Sequence, residues 1–191
     1  MMQRTQRVVL INANRMKPPI APIGLDYVGS ALQAQGFDVV LADLTFATDI
    51  EGELDAVFER EPLAVGISVR NIDDSYLASS AFFLDEVRDL VTQIRARTQS
   101  PIVFGGVGFS ISPQEALEFC QGDFAIRGDG ELALPMLLHR IRDGGEPSDV
   151  PGLLSRTDGR VHVGTSPAFF DLDSVFLSSR SLVDNGRYFR E

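Results

Sequence analysis

Four short segments carry the residues that could bind a ligand. The glycines of GGVGFS let a large ligand approach the backbone closely, and the N–H groups that they expose can donate to amide or phosphate oxygens. The proline-rich segment suits a broad, flat ligand, because a stiff loop loses little conformational entropy on binding. In chain order the segments are NANRMKPPIAPIG at 12–24, RNIDD at 70–74, GGVGFS at 105–110 and GDGE at 128–131.

Each segment alone also has a purely structural explanation. Prolines stiffen loops, and Gly105, Gly106 and Gly108 can serve tight packing. Asp129 and Gly130 can form a turn before a helix, with Glu131 at the end of that helix that favours negative charge. A common location for all four segments favours a binding site over four unrelated structural roles.

That common location follows from the secondary structure that the sequence predicts. Short apolar runs predict five strands, and helical spacing of apolar residues predicts a helix after each one, including a long helix from about Ser79 to Arg97. Five strand–helix cycles with nearly continuous apolar strands predict an α/β fold, a doubly wound parallel sheet with helices on both faces. In such a sheet the ligand lies beyond the carboxyl ends of the strands, and all four segments fall there. The predicted strands are 7–12, 37–44, 63–69, 101–106 and 123–128.

The α/β domain is predicted to occupy residues 1–145. After it, GLLSR and RVHVG flank Thr157-Asp158-Gly159, which predicts a C-terminal β-hairpin. Residues 146–191 are therefore interpreted as a hairpin and a connector to a further domain. Because every candidate binding segment precedes residue 132, we expect removal of 169–191 to leave ligand affinity nearly unchanged.

Composition limits the possible partners. The chain has 17 Lys and Arg against 27 Asp and Glu, without a basic stripe, so nucleic acid is not an expected partner. Cys120 is the only cysteine, which excludes an internal disulfide and a thiolate-bound cluster within this sequence. No apolar span reaches membrane length, and a cytoplasmic location is expected. Neither a G-x-G-x-x-G after the first strand nor a P-loop motif supports a nucleotide cofactor.

In order and spacing, these segments resemble the N-terminal cobalamin (B12)-binding domain of cobalamin-dependent radical SAM enzymes. The resemblance is carried by KPPIAPIGLDYVGSALQAQGFDVVLADL, VGISVRNID, VFGGVGFS and DFAIRGDGELALPMLL, within residues 7–145. It implies a Rossmann-like, flavodoxin-like B12-binding fold in which four loops hold the corrin over the carboxyl edge of the sheet. The cofactor-binding residues that it implies are Asn14, Arg15, Met16, Pro18, Pro19, Ile23, Gly24, Ser68, Val69, Arg70, Asn71, Ile72, Gly105, Gly106, Val107, Gly108, Phe109, Gly128, Asp129, Gly130 and Glu131.

The resemblance also implies a function. The domain would bind cobalamin and present it to a radical SAM domain in cis for methyl transfer, as part of a B12-dependent radical SAM methyltransferase. S-adenosylmethionine and a [4Fe-4S] cluster would belong only to that downstream domain, because the C-x-x-x-C-x-x-C motif is absent from this sequence. No catalytic residue and no protein metal ligand is assigned within the 191 residues.

The lower face of the cobalt is expected to lack a protein imidazole. Related domains of methionine synthase and mutases carry D-x-H-x-x-G after the first strand, but the matching stretch here has no histidine. His139, in the last helix, and His162, in the hairpin, are the only histidines. We expect base-off cobalamin with Arg70 beneath the corrin, where a guanidinium cannot ligate cobalt and its charge favours the reduced cofactor. The alternative is a surface ion pair of Arg70 with Asp73 or Asp74.

Two other functions are compatible with the predicted topology. A response-regulator-like signalling or interaction domain would require acidic residues after the first strand and a lysine after the fifth. Asn12 and Asn14 occupy the first place, and Arg127-Gly128-Asp129 the second. A flavodoxin-like FMN protein would require a hydroxyl-rich phosphate loop where the proline-rich segment stands. The sequence therefore favours the cobalamin hypothesis over both.

Gel filtration after addition of one equivalent of hydroxocobalamin separates the three hypotheses. A cobalamin-binding domain emerges pink, because the cofactor travels with the protein. A signalling domain or an FMN protein emerges colourless, and that result would contradict the cobalamin hypothesis.

Overall fold

The computed structural model describes residues 6–73, 82–168 and 181–189. Strands and helices alternate through most of this range, and three short 3-10 helices lie at Leu44–Phe46, Phe109–Ile111 and Asn185–Phe189. The main elements are β1 Arg7–Asn12, α1 Ile23–Ala34, β2 Asp38–Asp43, α2 Ile50–Val57, β3 Ala64–Ser68, α3 Leu84–Arg95, β4 Ile102–Gly105, α4 Pro113–Cys120, β5 Phe124–Ile126, α5 Gly130–Asp143, β6 Leu153–Thr157 and β7 Arg160–Val163.

A seven-stranded sheet in the order β2-β1-β3-β4-β5-β6-β7 organises the chain. The first five strands are parallel, which confirms the predicted doubly wound α/β fold. The predicted hairpin is present too, but it extends the same sheet, because β6 pairs antiparallel with β5. The strand order reverses between β1 and β3, which lie side by side. The carboxyl ends of neighbouring strands are in register there, with Asn12 opposite both Asp43 and Ser68.

Helices cover both faces of the sheet. Alternate residues of β1 point to opposite faces, so Val8 and Leu10 pack with α1 and α5, whereas Val9 and Ile11 pack with α2, α3 and α4. This two-sided burial explains why the central strands β1, β3 and β4 are almost continuously apolar. Among the helices that the structure describes, none is long and apolar enough to span a membrane.

The hairpin has the geometry that its sequence predicts. Asp158 and Gly159 both have positive φ, 52° and 72°, as the two central residues of a type I′ turn require. Strand β6 runs from Leu153, beside Ile126, away from the carboxyl edge of the parallel strands, and β7 returns toward it.

Two predicted boundaries differ from the structure or fall outside it. Helix α3 begins at Leu84, and the expected start near Ser79 lies outside the described residues. Beyond the predicted boundary at 145, the hairpin continues the sheet and Val183 is buried against the domain. The division at residue 145 thus remains a prediction, and the described part of 146–191 packs on the α/β domain.

Candidate functional site

A pocket of about 380 Å³ opens at the carboxyl edge of the sheet, where the strand order reverses. Its walls come from the ends of β1, β3, β4 and β5 and from the first turns of α1 and α5. Most of the lining is apolar, and the volume lies in the range of roughly 300–1,000 Å³ that is usual for small-molecule sites. The lining residues are Leu10, Gly24, Leu25, Val28, Gly66, Ile67, Ser68, Val103, Phe104, Gly105, Gly106, Val107, Ser110, Ile126, Gly128, Asp129, Gly130, Glu131 and Leu134.

Two glycines of this lining leave open space where a side chain would stand. A Cβ at Gly24 would meet nothing within 4 Å, and one at Gly105 would meet only the Ile126 carbonyl at 3.9 Å. The backbone at these two positions is therefore accessible to a ligand in the pocket, as the sequence predicts for Gly105.

Gly106 and Gly108 have a different role. A Cβ at Gly106 would lie 2.6 Å from the Val69 carbonyl oxygen, and one at Gly108 would collide with the backbone of Arg70. The N–H groups of Gly108 and Phe109 donate to that Val69 carbonyl, at 3.2 and 3.3 Å. These two positions require glycine because the loops after β3 and β4 are in direct contact. This is the packing explanation that the sequence left open.

The proline-rich loop after β1 is held by polar side chains at its start. The Thr45 hydroxyl donates to the Asn14 carbonyl at 2.7 Å, and the Asn14 N–H donates to the Asn12 side chain at 3.2 Å. Further along, the Asn71 amide donates to the Met16 sulfur at 3.0 Å. The loops after β1 and β3 therefore contact each other beside the pocket.

Carboxylates lie at the mouth of the pocket, at the start of α5. Burial raises the pKa of Glu131, and the nearby charge of Asp129 acts in the same direction. Hydrogen bonds from the backbone N–H groups of Glu131 and Gly130 oppose this shift. Exposed apolar side chains surround the mouth, including Ile23 and Val107, which is 70% exposed. The site is thus an apolar cavity with an apolar rim and a few polar groups.

The structure brings only part of the predicted set to the pocket. Arg15, Pro18 and Arg70 lie exposed in the loops around it, while Pro19, Asn71 and Ile72 are half-buried. Val69, Gly108 and Phe109 are buried, and Phe109 stacks on Phe104 in the core. The predicted residues that line the pocket are Gly24, Ser68, Gly105, Gly106, Val107, Gly128, Asp129, Gly130 and Glu131.

Sequence reasoning missed the deep apolar lining. Leu10, Leu25, Val28, Val103 and Leu134 have the spacing of ordinary core residues, which hides them from a search for unusual loops. One signal was available in Gly66, a glycine inside an apolar strand, which often marks a close approach.

Neither histidine is among the residues that line the pocket. His139 contacts Phe37 at the opposite edge of the sheet, with ring centroids 5.1 Å apart, and lies about 7.5 Å along α5 from Leu134, the last residue of that helix that lines the pocket. His162 is on β7, two strands or roughly 10 Å from β5, whose Ile126 lines the pocket. Across the described ranges, no group of three His, Cys, Asp or Glu side chains could hold a metal ion.

The pocket is apolar, lies where the strand order of a doubly wound sheet reverses, and is surrounded by loops. These features define a cofactor-binding α/β domain. Residues 9–138 match the B12-binding domain family, and the chain belongs to that family. The predicted resemblance and the predicted cofactor, cobalamin, are confirmed. The response-regulator-like alternative is not favoured.

Several known proteins are similar to this chain. It is 36% identical over 172 residues to tryptophan 2-C-methyltransferase of Streptomyces laurentii and 29% identical over 167 residues to hopanoid C-3 methylase of Methylococcus capsulatus. These matches cover 87% and 86% of this chain but 29% and 30% of the relatives. The chain therefore spans less than a third of their length.

Solved structures are also similar to this chain over most of its length. The radical S-adenosylmethionine methyltransferase TsrM from Kitasatospora setae, solved with cobalamin and a [4Fe-4S] cluster, matches with a TM-score of 0.82 and 37% identity, over 88% of this chain and 30% of that one. The cobalamin-dependent radical enzyme OxsB shares the fold at 20% identity and a TM-score of 0.65, over 87% of this chain and 23% of that one.

Substitution of Gly105 tests whether the pocket holds the cofactor. Gly105→Val places a side chain in open space, so we expect cobalamin to bind at least about tenfold more weakly, or about 1.4 kcal/mol, with nearly unchanged stability. Gly106→Ala should instead lower stability by about 1–3 kcal/mol, because its φ is +103° and its Cβ meets backbone.

Gly159→Ala is the matched control, since it has a positive φ but no neighbour within 4 Å. It should lose stability and keep its affinity. Titration by absorbance and urea unfolding provide the two measurements, and normal binding by Gly105→Val would exclude the pocket as the site.

Proposed function

We propose that this chain binds cobalamin base-off, with the dimethylbenzimidazole base in the pocket and no protein imidazole on the cobalt. The observation that carries the proposal is the apolar cavity at the strand reversal, which has the volume and lining for a flat aromatic group. Neither histidine lines this cavity, which supports the absence of a protein ligand.

The residues present fit the cofactor. Gly24 and Gly105 leave backbone accessible in the cavity, and Ser68 and Ser110 contribute hydroxyls to a mostly apolar lining. Around the mouth, exposed apolar side chains such as Ile23 and Val107 would cover the broad face of the corrin. The loops of residues 14–24, 68–73, 105–109 and 128–131 would hold its periphery, while buried Val69, Gly108 and Phe109 support those loops.

Bound cobalamin supplies a cobalt centre that accepts and donates a methyl group. The chain's own contribution is to bind and orient the cofactor and to set the charge near it. Arg70 leaves β3 at the reversal point, is exposed, and forms no ion pair within the part of the chain that the structure describes. Its permanent positive charge would stabilise the reduced, electron-rich cofactor.

The partner in the intact protein would be a radical SAM domain in cis. This proposal rests on relatives whose names include methyltransferase and methylase, and on the cobalamin and [4Fe-4S] cluster in the structure of TsrM. Because the chain spans less than a third of those relatives, the methyl transfer would need residues outside this sequence. S-adenosylmethionine and the cluster would bind in that radical SAM domain. The protein would act in the cytoplasm.

Electron paramagnetic resonance of bound cob(II)alamin tests the lower face of the cobalt. We expect each cobalt hyperfine line to remain unsplit, because a base-off site without histidine provides no nitrogen bound to cobalt. Such a nitrogen would split each line into three. Triplets in the wild type would contradict the proposal. If they survived in His139→Ala and His162→Ala, the base would remain on cobalt, and loss in either variant would identify that histidine as the ligand.

The reduction potential tests the role of Arg70. Arg70→Ala should lower the cob(II)/cob(I) potential by on the order of tens of millivolts, since one positive charge near the corrin is lost. Arg70→Lys should keep most of the wild-type potential. Arg160→Ala, on the distant strand β7, removes the same charge as a control and should shift nothing. An unchanged potential in Arg70→Ala would leave Arg70 with a surface role alone.

A further inference from the structure

The C-terminal segment, residues 181–189, packs closely against the domain. The Leu182 N–H donates to the carboxylate of Asp26 at 3.2 Å, and Asp26 is only 1% exposed. The Leu182 side chain lies over Gly29 of α1, where any Cβ would collide with it. Val183 is buried. The segment is thus docked through its own apolar and polar contacts.

Tyr188 brings this segment to the carboxyl ends of β1 and β2. Its hydroxyl donates to the Asp43 carboxylate at 2.6 Å and lies 3.2 Å from the Thr45 hydroxyl. The Asn12 side-chain amide donates to the Tyr188 hydroxyl oxygen at 3.4 Å. Burial raises the pKa of Tyr188 far above its usual value, and the hydrogen bond to Asp43 adds to this shift. The hydroxyl is therefore a permanent donor to a carboxylate.

The same polar groups fix the start of the proline-rich loop. The Asn12 amide donates to Asp43 at 2.9 Å and to Thr45 at 2.8 Å, and both backbone groups of Asn14 bind the Asn12 and Thr45 side chains. Asn14 is the first residue of the loop assigned to the cofactor. Tyr188 therefore completes the network that holds this residue.

A second contact joins the loop and the C-terminal segment through Phe46. The Tyr188 ring meets Phe46 edge-on, with centroids 4.9 Å apart, and the Arg187 guanidinium lies 4.6 Å from the Phe46 ring. The ammonium group of Lys17, in the loop, is 5.4 Å from the same ring. The two segments thus share one aromatic side chain as well as one polar network.

We propose that Tyr188 is a positioning residue, and that through it the C-terminal segment holds the proline-rich loop in the conformation that binds cobalamin. The inference rests on the proposed function, because the loop is there a wall of the cofactor site. It replaces the expectation that residues 169–191 do not affect affinity, an expectation that considered only the loops before residue 132. The route runs from Tyr188 through Asp43, Asn12 and Thr45 to the backbone of Asn14.

Tyr188→Phe in the 191-residue chain tests this inference, since it removes the hydroxyl and keeps the ring. Without ligand, we expect hydrogen exchange at the Asn14 and Met16 amides, measured by NMR, to be about tenfold faster, with unchanged exchange in β5. Hydroxocobalamin should bind about tenfold more weakly. Phe189→Ser is the control, because Phe189 is 86% exposed, and should alter neither quantity.

A double-mutant cycle with Thr45→Val tests the route. If Tyr188 acts through Thr45, the effect of the two substitutions together on affinity is smaller than the product of the single effects. A chain that lacks residues 187–191 repeats the test without any substitution in the domain. Its affinity should fall at least as far as that of Tyr188→Phe, because the truncation also removes Arg187 and the Tyr188 ring from Phe46.

Four results would overturn the inference: unchanged exchange at Asn14 and Met16, faster exchange with unchanged affinity, independent effects in the cycle, or normal affinity after truncation. Failure of the proposed function is distinguishable from these, because it would be seen in the wild-type chain, as absent hydroxocobalamin binding or as triplets in the resonance spectrum. The exchange measurement without ligand would still decide whether Tyr188 holds the loop.

Discussion

The connections that leave β1 and β3 run to opposite faces of the sheet, with α1 on one and α3 on the other. Where these adjacent strands end, the backbone therefore diverges and leaves a crevice that no connection crosses. The first turns of α1 and α5 form its walls on one face, and Gly66 and Leu10 lie at its floor, where a Cβ on Gly66 would collide with the Leu10 side chain. The pocket, the loops around it and the apolar rim all depend on this divergence.

The loops beside the crevice are held by backbone contacts. The Val69 carbonyl accepts from two N–H groups of the loop after β4, and the Val69 N–H donates to the Gly105 carbonyl at 2.9 Å. A site built from backbone in this way keeps its shape while its surface side chains change. Apolar residues exposed around it, such as Val107 and Ile23, carry a cost in water that a bound apolar group would relieve.

Much of the fold could be predicted from the sequence, because local patterns specify it. Apolar runs gave the five parallel strands, and Asp158-Gly159 gave the hairpin turn. The loops of the site were found for the same reason, as prolines and glycines are unusual locally. The deep lining of the pocket could not be predicted, because Leu10 and Val103 differ from core residues only by their position in the folded chain. The return of Tyr188 to Asp43, 145 residues away, likewise has no local signal.

The hairpin on the β5 side of the sheet determines at which edge of the sheet the chain continues. Strand β6 carries the chain away from the carboxyl edge and β7 brings it back, so two added strands restore the edge from which the chain set out. One added strand would have left the chain on the far side. Residues that follow Val163 thus start beside the pocket, where Pro167 approaches Gly128 and Thr165 accepts from Gly152. An even number of strands gives the chain after the hairpin a short path to the cofactor edge.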